Sequence, residues 1–196
     1  MSETNFASHS IERELIHVRN LKLCGYQRAD GLWDIEARLV DTRTYDSTAV
    51  ERDAIKAGDS VHDLWVCVTV DNHLTVQAIH SSMDAHPFDG CQNARHSLDK
   101  LRGAVLGPGW RNQIDMHVGG HRGCTHIREM LLQVATTAYQ TIPVWFAQKE
   151  AGGVMPVLDG KPPRHLGQCH GWALDGAIVG RLYPQFASKR NAENDR

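Results

Sequence analysis

Two stretches of the chain alternate apolar and polar side chains, which is the pattern of half-buried β-strands. In the first, Trp33, Ile35, Ala37 and Leu39 fall on one face, and the residues between them are charged. In the second, residues 64–70, leucine and valine side chains share one face and Trp, Cys and Thr side chains share the other. The pattern therefore predicts two strands that each bury one face.

A third apolar run, residues 74–80, follows the second strand after the polar residues Asp71, Asn72 and His73. These residue types favour a tight turn, so the two runs are predicted to form a β-hairpin. The alternation places four side chains on the same side of the returning strand: Leu74, Val76, Ala78 and His80.

Apolar residues at helical spacing occur in the second half of the chain. A long amphipathic helix is predicted from about residue 124 to residue 140, and Pro143 is expected to end it. Its core positions are Ile127, Met130, Leu131, Val134 and Ala138. A shorter helix is predicted over residues 91–102, with Gly103 at its C-terminal end, and GPGW at 107–110 is a predicted turn.

The strands come first along the chain and the helices later. This order predicts an α+β fold, an antiparallel sheet with helices packed on one face. Residues 42–60 and 151–168 carry no regular period and are predicted to be connections. We expect a peripheral N-terminal segment over residues 1–27, a single domain over 28–187 and a polar tail over 188–196.

The charge balance narrows the classes of partner. The 196 residues include 21 Lys+Arg and 23 Asp+Glu, a formal net charge of -2, which disfavours nucleic-acid binding. No apolar run reaches the roughly 20 residues needed to span a bilayer, and the N-terminal sequence is charged where a signal peptide is apolar. We therefore expect a cytoplasmic protein without a membrane partner, and a homodimer because that is the commonest oligomer.

Cysteine and histidine define the candidate chemistry. The chain contains five Cys and 12 His. An odd number of widely spaced cysteines in a cytoplasmic chain argues against a disulfide framework, and the sequence has no CxxC pair of a zinc ribbon. P-loop, GxSxG, HExxH and dinucleotide-binding motifs are also missing from the sequence.

The strongest cluster of candidates lies where a glycine-rich loop meets the predicted long helix. Cys124 stands at the helix start, where free N–H groups favour a thiolate. Glu129 follows His126 by three residues, so the two share a helix face and the carboxylate could orient the imidazole. His121 and Arg122, just upstream, would hold the charge of a substrate anion. The alternative is a packed thiol next to a surface His–Glu pair.

Further candidates lie far apart in the sequence. His62 and Asp63 open the second strand, where neighbouring side chains point to opposite faces, so one of the two can face a given pocket. Trp110 would line a pocket for an aromatic substrate or pack in the core. No metal is favoured, but zinc or iron would suit the ligand set Asp63, Cys91, Cys124 and Cys169.

Five motifs follow one another along the chain: DGLWDIEARLVDT at 30–42, HDLWVCVTVD at 62–71, GPGW at 107–110, GCTHIREML at 123–131 and ATTAYQT at 135–141. In this order they resemble a bacterial domain family of unknown function, over about residues 15–185. The resemblance implies a role in aromatic-compound catabolism, including cleavage of lignin-derived phenolic dimers. A fainter likeness is to the NifU-type iron–sulfur scaffold fold, with Asp63, Cys91 and Cys124 at ligand positions. The first scaffold cysteine has no counterpart here, and Gly123 replaces the histidine before the last one.

These observations leave two main functions open. The first is an enzyme, a lyase that acts on a small phenolic substrate by acid–base chemistry and releases formaldehyde without a cofactor. His126 or His62 would be the base, Glu129 would orient His126, and Cys124 completes the catalytic group. The alternative is a scaffold- or carrier-like protein that binds zinc or iron through Cys91 and Cys124. A subunit that binds the same ligand without turnover is the third possibility.

Overall fold

In the part of the chain that the computed structural model describes, four strands form one antiparallel sheet in the order β1-β2-β3-β4. The structure describes residues 11–48, 51, 54–150, 152, 154, 155, 157 and 160–188. The strands are β1 His17–Gln27, β2 Trp33–Arg43, β3 Ser60–Val70 and β4 Val76–Ala85. Each strand pairs with the next one along the chain, so the sheet is a simple meander.

One face of the sheet is the core face. The apolar side chains of β2 from Trp33 to Leu39 are at most 3% exposed, and so are Leu64, Val66, Val68 and Val70 of β3. Ile35 lies opposite Val68 in the register, so the two predicted strands bury the same face. With the helices described below, this confirms the predicted α+β fold with an antiparallel sheet.

The predicted hairpin forms, but the prediction of which side chains share a face of its second strand is wrong after Val76. Asp71 accepts hydrogen bonds from the main-chain N–H groups of His73 and Thr75, at 2.8 and 2.9 Å, which closes the turn. Val70 pairs with Val76 and Thr69 with Ala78, so Gln77 is an extra residue in β4. Such a bulge moves every later side chain to the other face. As a result Ile79 is buried and His80 is exposed.

Among the described residues, three α-helices follow the sheet: α1 Trp110–Val118, α2 Thr125–Glu150 and α3 Ala177–Leu182. The predicted helix over 91–102 is a 3-10 helix, Asp89–Leu101, and Gly103 follows it with a φ of 83°. The turn at GPGW leads directly into α1, which the sequence pattern did not predict.

Helix α2 is longer than predicted, because it continues through Pro143. A proline inside a helix lacks one N–H donor and crowds the preceding turn. Ile142 and Ala147, on either side of it, are 1% exposed. Burial of these side chains favours continuation of the helix and outweighs the bond that Pro143 cannot make.

The edge strand β1 lies within residues 1–27, the segment expected to be peripheral. It pairs with β2 along its whole length, from His17 opposite Arg43 to Gln27 opposite Trp33. The sheet therefore begins earlier than the sequence pattern indicated. Residues 1–10, and the predicted tail beyond residue 188, lie outside the described residues.

The chain divides into two compact units, Met1–Tyr139 and Gln140–Arg196. The first unit contains the sheet, α1 and most of α2. The second contains α3 and a small core of Leu166, Val179 and Tyr183. The domain limits at residues 28 and 187 stay a prediction. Among the described helices, none combines the length and the apolar character needed to cross a bilayer.

Candidate functional site

A buried carboxylate lies at the end of the core face of the sheet. Asp41 follows Leu39 by two residues on β2, so its side chain points to the core face, and 3% of it is exposed. Arg19 lies opposite Asp41 in the register of β1. It donates from Nε and Nη2 to the two carboxylate oxygens, both at 2.7 Å, and His17 Nε2 lies 3.2 Å from Oδ1. This two-bond ion pair fixes the orientation of the carboxylate.

Two histidines converge on Asp41 from different elements. His62 lies opposite Asp41 in the register of β3, and its Nδ1 is 3.0 Å from Asp41 Oδ2. His126, in the first turn of α2, brings its Nε2 to 3.9 Å from the same oxygen. The centroids of the two imidazole rings are 4.1 Å apart. The strand register therefore aligns Arg19, Asp41 and His62, and α2 supplies the second imidazole.

The electrostatics of the site keep Asp41 ionised and both imidazoles neutral. Burial by itself raises the pKa of the Asp41 carboxyl group, but the hydrogen bonds and charge of Arg19, with His62 and His17, hold that pKa below its ordinary value. Burial lowers the pKa of His62, and His126 lowers it further. Burial and then Arg19 lower the pKa of His126. At neutral pH each imidazole therefore retains a lone pair.

The hydrogen bond to Asp41 also determines the tautomer of His62. An ionised carboxylate accepts hydrogen bonds and cannot donate them. His62 therefore donates its Nδ1 proton to Asp41, which leaves Nε2 as the unprotonated nitrogen. This is the arrangement in which a carboxylate holds an imidazole in position to act as a base.

The loop between α1 and α2 positions the other imidazole and the thiol next to it. Gly123 ends this loop, and a Cβ atom there would lie 2.5 Å from Cγ1 and from the main-chain oxygen of Val118. This close approach requires a glycine immediately before Cys124. The Sγ atom of Cys124 lies 3.7 Å from His126 Nδ1. The thiol and imidazole predicted at the loop–helix junction are therefore in contact.

A cavity of about 660 Å³ is bounded by both histidines. Its walls come from the start of β3, the end of β4, the 3-10 helix and the loop before α2. Its volume lies within the range of small-molecule sites. The apolar lining includes Leu64, Met83, Pro87 and Phe88, and the basic lining consists of His62, His86, His121, Arg122 and His126.

Several residues singled out in the sequence meet at this cavity. Those that line it are His62, Cys91, His121, Arg122, Cys124 and His126. The loop–helix cluster and the head of β3, far apart in the sequence, therefore share one site. Cys91 contributes from the 3-10 helix.

Trp110 and Glu129 are not among the residues that line the cavity. Trp110 is 3% exposed and donates its Nε1 proton to the carbonyl oxygen of Leu131 at 2.9 Å, so it packs in the core. Glu129 forms an ion pair with the neighbouring Arg128. The carboxylate that faces His126 is Asp41.

Asp63 and Cys169 are not among the residues that line the cavity. Asp63 points to the opposite face of the sheet from His62, as the alternation along β3 requires. It accepts hydrogen bonds from Nε and Nη2 of Arg38 at 2.9 and 2.6 Å. Cys169 is an exposed residue of the second unit.

Asp41, Arg19 and His17 of this cluster were not predicted from the sequence pattern. One signal could have found Asp41: the alternation of β2, extended by two residues beyond Leu39, places a carboxylate on the buried face. A charge there requires a partner. Arg19 and His17 gave no comparable signal, because β1 is an edge strand with a mostly exposed, irregular pattern.

Three residues of this cluster also have part of the arrangement of a metal site. Asp41, His62 and His126 offer ligand atoms that all lie within 4.8 Å of one another, and two histidines with one carboxylate suit zinc or non-haem iron. The charge balance is less suitable, because Arg19 already neutralises Asp41. A divalent cation would therefore meet a neutral group of ligands beside a guanidinium ion.

These features define a class of protein, an α+β domain with a meander sheet whose core face ends in a buried Arg–Asp–His cluster beside a cavity. The chain belongs to the family described as "Protein of unknown function (DUF2889)", whose family model matches residues 17–140. The matched segment begins with β1 and contains all the site residues from His17 to His126. It confirms the predicted membership of an uncharacterised domain family. No curated protein and no solved structure matches the chain.

Proposed function

We propose that this protein is an enzyme that acts on a small phenolic substrate by acid–base chemistry, with His62 and His126 as the proton-transfer groups. The proposal is supported by two neutral imidazoles at the cavity wall, with ring centroids 4.1 Å apart, that both lie next to the ionised carboxylate of Asp41. General acid–base catalysis requires a group that titrates near the working pH and is held in place. Imidazole meets the first requirement, and Asp41 meets the second for His62.

The cavity suits a ring-shaped substrate. Leu64, Met83, Pro87 and Phe88 offer apolar contacts, and the imidazoles lie on the same surface. Apolar walls with a few placed polar groups are typical of small-molecule sites. Together with the aromatic catabolism implied by the family resemblance, this favours a phenolic compound.

More specifically, we propose that the enzyme is a carbon–carbon lyase that releases formaldehyde without a cofactor. A para-phenol loses its proton, and its electrons expel a benzylic oxygen, which takes up a proton, so that a quinone methide forms. A base then removes the hydroxyl proton of a neighbouring hydroxymethyl group. The carbon–carbon bond breaks, formaldehyde leaves, and the electron pair forms a new C=C bond and restores the phenolate. Neither an oxidant nor a reductant is required.

The position of each residue in the site determines the role that we assign to it in this reaction. His62 Nε2 is the base for the hydroxyl proton, because its Nδ1 is held by Asp41. His126 is the second proton-transfer group, in contact with the Cys124 thiol. Asp41 and Arg19 are positioning residues.

The proposal predicts that His62→Gln lowers formaldehyde release from hydroxymethyl-bearing phenolic dimers by about 10²–10⁴-fold, because a positioned base contributes that much. Turnover is measured on a panel of such dimers, and circular dichroism checks the fold. The matched control is His73→Gln, in the turn after β3 and outside the cavity lining. Wild-type turnover in His62→Gln, or a wild-type protein that cleaves no dimer of the panel, would contradict the lyase.

Metal binding is the second candidate, because the ligand atoms of Asp41, His62 and His126 lie close together. Cys91 and Cys124 of the cysteine-based alternative line the same cavity. Elemental analysis of protein purified without chelator or histidine tag distinguishes the acid–base enzyme from a metal-binding protein. For the acid–base enzyme we expect far less than one zinc or iron per chain. One equivalent of metal that is lost in His126→Gln would instead favour the metal site.

The cytoplasmic location and the homodimer expected from the sequence are also proposals. A cytoplasmic homodimer fits an enzyme that acts on a small molecule. Size-exclusion chromatography with light scattering measures the assembly.

A further inference from the structure

The cavity lining contains basic side chains but no carboxylate. Among its lining residues, all within the described part of the chain, there is one Arg and there are four His, but no Asp or Glu. The buried carboxylate of Asp41 lies against His62 and His126 and is paired with Arg19. Its negative charge is therefore already balanced.

Arg122 is the permanently charged group of this lining, and its charge is not neutralised by Asp115. Arg122 Nη2 donates to the main-chain oxygen of Asp115 at 2.9 Å. The carboxylate of Asp115 is bound by Arg128 instead, through Nε at 2.8 Å and Nη2 at 2.6 Å. Within the described residues, the Arg122 guanidinium thus has an anchor but no carboxylate partner.

We infer that the cavity selects an aromatic ligand with an anionic oxygen, a phenolate or a carboxylate, and that Arg122 is the charge partner of that oxygen. A guanidinium ion binds such oxygens through charge-assisted hydrogen bonds. The apolar residues of the cavity contact the ring, and Arg122 lies at the exposed loop before α2.

The inference deepens the proposed function, on which it rests for the location of the site. A phenol bound as its phenolate has already completed the first proton loss of the lyase reaction. The imidazole pair is then available for the hydroxymethyl proton. Arg122 would thereby determine which substrates enter, and His62 and His126 would determine whether they react.

Binding of four simple probes tests this inference without turnover. The carboxylate pair is cinnamate and cinnamamide, and the phenolate pair is 4-nitrophenol, above its pKa, and 4-nitroanisole. Calorimetric titration should show that at least one anion binds about tenfold more tightly than its neutral partner, as one charge-assisted contact provides. The pair that shows the preference identifies the type of anion.

The variant Arg122→Gln should reduce this preference to less than about twofold and leave the affinity of the neutral probe unchanged. The matched control is Arg111→Gln, an exposed arginine of α1 outside the cavity lining. Equal binding of anion and neutral probe by the wild type would overturn the inference. An undiminished preference in Arg122→Gln, or no binding of any probe, would overturn it too.

The two proposals can fail separately. If His62→Gln keeps full turnover while Arg122→Gln loses the anion preference, the base assignment fails and the anion site stands. If His62→Gln abolishes turnover but the wild type binds neutral and anionic probes alike, the enzyme stands and the anion site fails.

Discussion

The buried carboxylate of Asp41 determines the arrangement of the polar side chains around it. Its carboxylate is nearly inaccessible, and burial of an unpaired charge is costly. Arg19, His17 and His62 each contact it, so both oxygens have polar partners. The result is a fixed acceptor that determines the orientation of His62. Removal of one partner should therefore affect stability and site geometry together.

The variant Arg19→Gln is expected to lower the free energy of unfolding by about 2 kcal/mol, since it leaves a buried carboxylate without its main partner. The matched control is Arg38→Gln, which breaks the pair with Asp63 on the other face, where Arg38 is 57% exposed. Because this pair is exposed to solvent, that change should cost clearly less than Arg19→Gln. Urea denaturation of both variants and the wild type measures the difference.

The same comparison has an expected pH dependence. The pKa of Asp41 is lowered in the folded protein, so its contribution is present above the unfolded pKa of about 3.9 and is lost as pH falls through the folded value. The stability gap between wild type and Arg19→Gln should shrink on strong acidification. Equal losses in Arg19→Gln and Arg38→Gln at neutral pH would show that Asp41 is not specially dependent on Arg19.

Strands and helices differ in how far local pattern predicted them. Alternation identified β2 and β3, and polar residues identified the turn after Val70. The pattern failed where a tertiary preference opposed it: the Gln77 bulge turned His80 to the exposed side, and α2 continued through Pro143. A bulge is defined by the pairing with the partner strand, so the sequence of one strand alone does not show where an extra residue interrupts the alternation.

Each of the two units buries an ionisable side chain, and the two side chains differ in their hydrogen bonds. The first encloses a fully partnered carboxylate. The second encloses His165, which is 7% exposed, and within the described residues neither of its ring nitrogens has a hydrogen-bond partner. Its ring lies 4.3 Å from that of Trp172 and 5.6 Å from that of Tyr183, between centroids. Burial lowers the pKa of His165.

We expect His165→Phe to raise the free energy of unfolding by about 1 kcal/mol, because it removes two unpaired polar atoms and keeps an aromatic ring. The folded pKa is lowered, so the unfolded chain binds the proton first, and wild-type stability falls as pH drops below about 6.5. The advantage of the variant should therefore increase on mild acidification. Denaturation in urea at neutral and mildly acidic pH measures it.

The control for this prediction is His170→Phe, an exposed histidine of the same unit. Its effect should stay within about 0.5 kcal/mol at both pH values. A loss of stability in His165→Phe at both pH values would mean that the imidazole has a role in the core that the phenyl ring cannot replace.

Local residue patterns were enough to predict β2, β3, the hairpin turn and the core of α2, because each pattern is contained within a short stretch of sequence. Cys124 and His126 were singled out by their place at the predicted start of α2, which is also a local feature of the sequence. The alignment of Arg19, Asp41 and His62 depends on the pairing of three strands, and the approach of His126 depends on how α2 packs. These contacts join residues distant in sequence, so the tertiary structure decided which carboxylate serves which imidazole.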